Sequence, residues 1–275
     1  MTITEMHRAF KLGLDKLDGV NYPNFRSEEI DLILNQAQNR YAKQRYGINN
    51  IKRQSFEETQ KRTEDLKELI RTSIITPTAN SGQVNNGDNI TTNSVLCTLP
   101  TNHWFTIWER AIIYSSRCTT ESIVLYYPES YVEVCVDCPT CSLDTCVGNT
   151  TTITIPSYTE TVTGKYVEVR PIQHLEVDKI LTDPFKAPDY DKVLRLMYQD
   201  KAELIPAENT SVVRYLMRYI KKPATMNYLS TPKVDCELSE HTHQEIVDEA
   251  IKIALEGIEA KRIGSFTQVI DNLKE

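Results

Sequence analysis

The sequence predicts an α+β chain: an N-terminal helical hairpin or bundle, a central antiparallel β-sheet or small barrel, and a C-terminal amphipathic helix. Two observations carry this expectation. Apolar residues in the first third recur at helical spacing, whereas residues 104–220 hold β-branched and aromatic segments separated by turn residues. The two patterns never alternate as β-α units, which argues against a doubly wound fold. The predicted organisation is a helical domain over 1–75, a β-rich domain with long loops over 76–235, and a C-terminal helix and tail over 236–275 that pack on the helical domain.

In the helical part, Met6, Phe10, Leu14 and Leu17 line one side of a first helix that ends near Asp18-Gly19. Residues 28–46 follow, with Ile30, Ile33, Leu34, Ala37 and Tyr41 at helical spacing, Ser27 as N-cap and Gly47 after the last turn. A third helix is expected over 55–71, opened by a capping box of Ser55 and Glu58. Its apolar positions Phe56, Leu66, Leu69 and Ile70 are sparse, as in a solvated or interface-lining helix. Composition shifts at Thr76-Pro77, and the Thr/Asn/Ser/Gly-rich stretch to Asn93, with the turn signal Asn86-Gly87-Asp88, reads as a loop or hairpin tip.

Strands are expected over 104–115, 122–127, 131–136, 151–155 and 166–170. Pro184 and Pro188 then break the chain around Phe185, and the strand rhythm resumes over 192–197, 201–206 and 211–220, closed by Pro223.

The last helix, 242–262, joins a start signal to a wide apolar face. Thr242 and Glu245 form a T-x-x-E capping box. Ile246, Val247, Ala250, Ile251, Ile253, Ala254, Leu255 and Ile258 cover more than the stripe of about 100° that one core contact requires. Lys261, Arg262 and Gly264 suit the helix end. The surplus predicts a second partner, so Ile246, Ala250, Ile251 and Leu255 are expected at a subunit interface. A second cluster, Arg214, Arg218, Lys221 and Lys222 around Tyr215, Met217 and Tyr219, is expected to serve contacts as well, with Arg214, Arg218 and Tyr219 the named interface residues.

Charge narrows the function classes. A net charge of −7 argues against a nucleic-acid-binding surface, although an acidic wall suits a protein past which DNA must slide. Residues 1–12 carry Glu5, His7, Arg8 and Lys11 where a signal peptide would be apolar, and no apolar run approaches a membrane span of about 20 residues. The expectation is a soluble protein made in the cytoplasm.

The sharpest chemical signal is Cys135, Cys138, Cys141 and Cys146, a C-x2-C-x2-C-x4-C run within a Thr-rich insertion. Four thiolates at such spacing can ligate zinc or an iron–sulfur cluster, but the spacing matches neither known clusters nor a two-knuckle ribbon, and disulfides or free thiols are the stronger alternatives. Cys97, Cys118 and Cys236 read as ordinary buried or semi-buried cysteines. Cys236, His241 and His243 suggest a second metal site less well than they suggest a polar helix entrance. No G-x-S-x-G, G-x-x-x-x-G-K-[ST] or G-x-G-x-x-G motif is present, and carboxylates such as Asp248-Glu249 sit at helix-surface spacing beside cations. No catalytic residue and no cofactor is expected.

The N-terminal pattern Met6-His-Arg-Ala-Phe-Lys-Leu-Gly-Leu-Asp-Lys followed by Ser27-Glu-Glu-Ile-Asp-Leu-Ile-Leu-Asn-Gln-Ala-Gln resembles structural proteins of crAss-like tailed bacteriophages of gut Bacteroidetes. So do Asp183-Pro-Phe-Lys-Ala-Pro, Val193-Leu-Arg-Leu, Arg218-Tyr-Ile-Lys-Lys-Pro and His243-Gln-Glu-Ile-Val-Asp-Glu-Ala-Ile-Lys-Ile-Ala-Leu-Glu, in the same order along nearly the whole chain. Residues 80–163, which include the cysteine run, are the part least like that family. The resemblance implies a non-enzymatic virion protein of the head-to-tail connector or tail: a ring of about twelve copies closed by one repeated contact. Implied partners are the portal protein, other ring or tail proteins and passing genomic DNA, with no membrane, and assembly in the host cytoplasm. In that role 1–75 becomes an assembly domain and 76–235 a wall. Two other classes stay open: a metal-binding enzyme or nucleic-acid module built on the cysteine run, and a receptor-binding tail protein.

Overall fold

The computed structural model describes residues 1–17, 25–47, 59–78, 94–115, 121–127, 130–135 and 150–257, with backbone alone at 15–17, 130–135, 150–155 and 257. The chain is α+β and divides into two compact units: Met1–Arg71 with Asn102–Phe105 and Ile220–Glu275, and Thr72–Thr101 with Thr106–Tyr219.

In the first unit α1 (Ile3–Leu17) and α2 (Ser27–Tyr46) both pack chiefly against the C-terminal helix, and only slightly against each other. That helix is numbered α5 (His243–Gly257) in chain order. The expected N-terminal hairpin is thus a pair of helices bridged by the last one. Met6, Phe10 and Leu14 of α1 and Ile30, Leu34, Ala37 and Tyr41 of α2 are buried, as their spacing requires. Gly13 sets the α1–α5 approach: a Cβ there would stand 2.2 Å from Ile251 Cδ1. The N-cap of α2 is Arg26, one residue before the expected Ser27, and its N–H donates to Glu29 Oε2 at 2.8 Å.

An extended strap after residue 221 runs along α2. Asn35 donates to Met226 O and accepts from Met226 N–H, at 2.9 and 2.8 Å, while Asp31 Oδ2 accepts from Tyr228 N–H at 3.0 Å. Asp31 and Asn35, four apart and so on one helical face, satisfy backbone groups of a segment that lies outside the named strands. His7 is buried against Asp31 at 2.7 Å and stacks on Tyr228.

The helix expected over 55–71 is much shorter. α3 covers Gln60–Leu66, a 3-10 turn follows at Lys67–Leu69, and the chain then becomes strand β1 (Ile70–Ile75). The β-branched residues Ile70, Thr72, Ile74 and Ile75 favour a strand, and pairing with a neighbouring strand overrides the helical reading. Of the sparse apolar positions expected there, Leu66 and Leu69 are buried, as is Asp65, so this end of the segment is not simply solvated. Residues 48–58, with Ser55, Phe56 and Glu58, lie outside the described residues.

The remaining strands are β2 (Val95–Thr98), β3 (His103–Tyr114), β4 (Glu121–Tyr127), β5 (Ser130–Cys135), β6 (Thr150–Ile155), β7 (Tyr158–Pro171), β8 (Lys192–Met197), β9 (Lys201–Ile205) and β10 (Ser211–Lys221). They form a sheet in the order β1-β10-β3-β7-β8-β9-β2, with β4 also on β7, and a ribbon of β5 and β6. β1 and β2 end the order, yet Thr78, just beyond β1, donates its N–H to Leu96 O of β2 at 2.9 Å. The sheet therefore curls back toward its own first edge, in keeping with the small-barrel expectation.

The sheet is mixed where an antiparallel one was expected. β7 and β8 run parallel, Glu168↔Lys192 to Pro171↔Arg195, which obliges a crossover, and residues 172–191 with α4 (Val177–Thr182) supply it. Inside the curl lie Val95, Cys97, Ala111, Ile113, Val167, Val169, Val193, Leu204, Tyr215 and Met217. Outside, Val177 of α4 covers Leu194, Leu196 and Ile205.

β7 changes partners along its length. Residues 158–164 pair with β4, Lys165 to Glu168 with β3, and Glu168 onward with β8. The β4–β7 hairpin lies on the outer surface of the sheet, where Ile123, Leu125 and Val162 pack with Ile112, Val213, Leu216 and Ile74. Gly164 stands at the switch. A Cβ there would meet Ile112 Cγ2 at 2.4 Å and the Ile113 carbonyl oxygen at 2.8 Å, so the close approach of the two layers needs glycine.

Candidate assembly surfaces

The residues expected at an interface are mostly occupied within the chain. Ile246, Ala250, Ile251 and Leu255 are buried in the first unit, as are Val247 and Ala254, while Ile253 is half-buried. Ile258, Lys261, Arg262 and Gly264 lie outside the described residues. Much of the apolar width of α5 is thus taken up by having two helices, α1 and α2, to cover instead of one. The capping box is displaced too. Thr242 Oγ1 donates to Ser239 O at 2.8 Å, and Glu245 accepts from Arg45 at 2.5 Å.

That Arg45 contact belongs to a charge cluster centred on the buried Asp65. Arg45 Nε stands 2.9 Å from Asp65 Oδ2, His241 Nε2 lies 2.8 Å from Asp65 Oδ1, and Arg40 pairs with Glu249 at 3.1 Å. The basic end of α2 therefore neutralises carboxylates of α3 and α5. His243 is bound to Leu238 O and to the Met1 amine, each at 2.9 Å. His241 and His243 are thus both engaged in hydrogen bonds within the first unit. Burial pushes the Cys236 thiol up to about 11 and the Cys97 thiol up to about 12, which disfavours the thiolate at both.

In the second cluster Arg214 is bound to Glu160 and Tyr127, and Tyr219 is buried. Lys221 donates to Glu237 at 2.7 Å. Arg218 alone of the named interface set remains exposed, and its guanidinium lies over the Trp108 ring at 5.1 Å. Arg110 approaches the same ring at 5.5 Å and Tyr166 at 5.9 Å. Such contacts hold two cations against aromatic faces on the sheet exterior.

Inside the curled sheet, Glu109 accepts from Tyr215 Oη at 2.6 Å and faces Arg195 at 3.2 Å. Burial raises the Glu109 carboxyl, and the Tyr215 and Arg195 contacts oppose that rise. Glu160 moves the other way. Tyr127 Oη donates to it at 2.7 Å, and this bond, then Arg214, holds the carboxyl below its usual range.

What stays exposed and apolar is different from what the sequence marked. In the second unit these residues are Val124, Tyr126, Tyr114, Tyr158 and Tyr166 on strands, and Leu175 and Phe185 on the β7–β8 crossover. Strand alternation could have singled out Val124 and Tyr126; Leu175 and Phe185 carried no periodic signal. Cys135 ends β5, while Cys118, Cys138, Cys141 and Cys146 lie outside the described residues. Among the described residues, no three His, Cys, Asp or Glu side chains group as metal ligands, and no helix is long and apolar enough to cross a membrane.

No curated protein matches the chain. A family described as phage tail ring protein 3/4 matches over residues 1–130 and 156–263, leaving out the distal ribbon and its cysteines. With most of its length matched on both sides of that gap, the chain belongs to the crAss-like phage tail ring protein 3/4 family.

Proposed function

We propose that the chain is a non-enzymatic virion subunit that repeats, in about twelve copies, as a closed ring in the tail or head-to-tail connector, where genomic DNA passes without being bound. The family match carries this reading. In it the helical part docks on neighbouring ring or portal proteins, the β-rich part forms the wall, and assembly takes place in the host cytoplasm without membrane or cofactor.

The electrostatics support passive conduction. With 31 Lys and Arg against 38 Asp and Glu, cations are in deficit, and many are committed to internal pairs: Arg45–Asp65, Arg40–Glu249, Arg195–Glu109, Arg214–Glu160 and Lys221–Glu237. Duplex DNA carries roughly one negative charge per 1.7 Å of axis, so a wall rich in unpaired cations would retain it in a salt-sensitive way. The test measures copy number by native mass of the assembled protein, and duplex retention at physiological salt. A closed ring with no measurable retention is expected. Tight, salt-sensitive duplex binding would refute passive conduction, and a strictly monomeric protein in virions would refute the ring.

A further inference from the structure

Arg40, Arg45, Arg195 and Arg214 are each held by a carboxylate of the chain itself. Arg110 of β3 and Arg218 of β10 are placed differently. Both are exposed, and among the described residues neither has a carboxylate within ion-pair distance; their guanidinium groups rest on the Trp108 ring instead, at 5.5 and 5.1 Å from its centroid. Two like charges are thus gathered at one aromatic side chain with no anion between them.

Strand alternation puts this group on the outer face of the sheet. Ala111 and Ile113 of β3, Val167 and Val169 of β7, and Met217 and Tyr219 of β10 point into the curl. Trp108 and Arg110, Tyr166, Glu168 and Arg170, and Arg218 therefore point out. All of them belong to one compact unit. Glu168 stands across the ladder from Arg110 on one side and from Lys192 on the other, so a single carboxylate is set among Arg110, Arg170, Arg218 and Lys192. The local balance is cationic in a chain whose net charge is −7.

Stacking occupies the flat faces of a guanidinium and leaves its N–H edges free. Those edges form the planar fork that matches the two oxygens of a carboxylate or a phosphate. Trp108 is half-buried and already stacked by guanidinium, so it is not the bare platform that an unpaired base requires. Phosphates of duplex DNA would fit the fork, but unpaired cations along a conduit would retain the passing genome. In a ring that lets DNA through, such arginines belong on a surface turned to protein, where the matching oxyanion is a carboxylate.

We infer that the Arg110–Trp108–Arg218 patch docks an acidic, carboxylate-rich segment of a neighbouring protein. The inference rests on the ring reading and adds to it the chemistry of one contact.

The test titrates the full chain with a labelled oligoglutamate peptide and, separately, with a duplex oligonucleotide, reading fluorescence anisotropy. Because the chain is acidic overall, bulk attraction cannot hold the peptide, and binding reports a local site. The wild type is expected to bind the peptide at low salt, with affinity falling as salt screens the contact, and to leave the duplex free at physiological salt. Arg110→Gln with Arg218→Gln should weaken peptide binding about tenfold or more while cooperative unfolding is retained. Arg218→Gln alone provides the same test should the pair disturb folding. No peptide binding by the folded wild type, or binding that ignores the substitutions, overturns the patch. Duplex binding at physiological salt that depends on the same arginines overturns the choice of a protein partner, and passive conduction with it. The native mass of the same preparations reports the ring separately: a ring that does not bind the peptide overturns the patch alone, and peptide binding through both arginines by a chain that never assembles supports the patch while refuting the ring.

Discussion

Glu160 joins three elements through one carboxylate: it lies on β7, accepts from Tyr127 of β4 and pairs with Arg214 of β10. Because those partners favour the ionised form, its folded pKa lies below the unfolded value of about 4.3. The stability it contributes is full above that unfolded value and disappears as pH falls through the folded one. Glu160→Gln should therefore flatten the acid limb of stability below about pH 4.3, measured as denaturation midpoints from pH 3 to 7. An unchanged acid limb would mean the Tyr127–Glu160–Arg214 link contributes nothing. At Gly164 the obstacle to a side chain is partly backbone, the Ile113 carbonyl oxygen, and cannot rotate away. Gly164→Ala should cost about 1–3 kcal/mol in equilibrium unfolding. Gly13→Ala should cost less, since the atom in its way is the end of the Ile251 side chain and alanine regains about 1 kcal/mol of helix propensity.

Among the elements, α5 depends on charge as well as on apolar burial. Arg45 faces the fully buried Asp65 and the partly buried Glu245, so Arg45→Ala leaves carboxylates without their main counter-charge. Removing one partner of a buried pair costs about 3–5 kcal/mol, and denaturant titration should record a loss of that order. Ile251→Glu should abolish cooperative unfolding instead of yielding a folded protein that merely fails to assemble, because Ile251 is buried among α1 and α5 contacts. The sequence marked α5 through its apolar width, and the burial of Ile246, Ala250 and Leu255 within the first unit takes up much of that width. Periodicity registers how much surface is apolar. It cannot distinguish two intramolecular partners from one intramolecular and one foreign. The strands were legible where alternation was clean, as in β4, but β1 was hidden behind a helical reading, and the four residues of β2, just after the polar stretch that ends at Asn93, were too few to show a period. The parallel β7–β8 pair was illegible because strand direction depends on the crossover, and α4 is a single short helix bracketed by prolines.

At the scale of the whole molecule, the core and the distal ribbon are separable. Among the described residues, the apolar clusters of the second unit are built from the curled sheet, α4 and the β4–β7 hairpin. The family match likewise resumes at residue 156 after stopping at 130. The β5–β6 ladder pairs only with itself among the described residues, so its removal opens no sheet edge in the core. Replacing residues 131–154 by an Asn-Gly turn leaves Ser130 and Ile155 at the closing rung, where a two-residue connection suits an antiparallel pair. The shortened chain should unfold cooperatively within about 2 kcal/mol of the full chain, below the cost of a typical core truncation. The cysteine run is then dispensable for folding, since Cys135, Cys138, Cys141 and Cys146 all leave with the ribbon. Elemental analysis of the full chain supplies the opposing outcome. One tightly held zinc per chain, with unfolding on chelation and failure of the shortened chain to fold, would make the ribbon a structural metal module on which the β-rich unit depends.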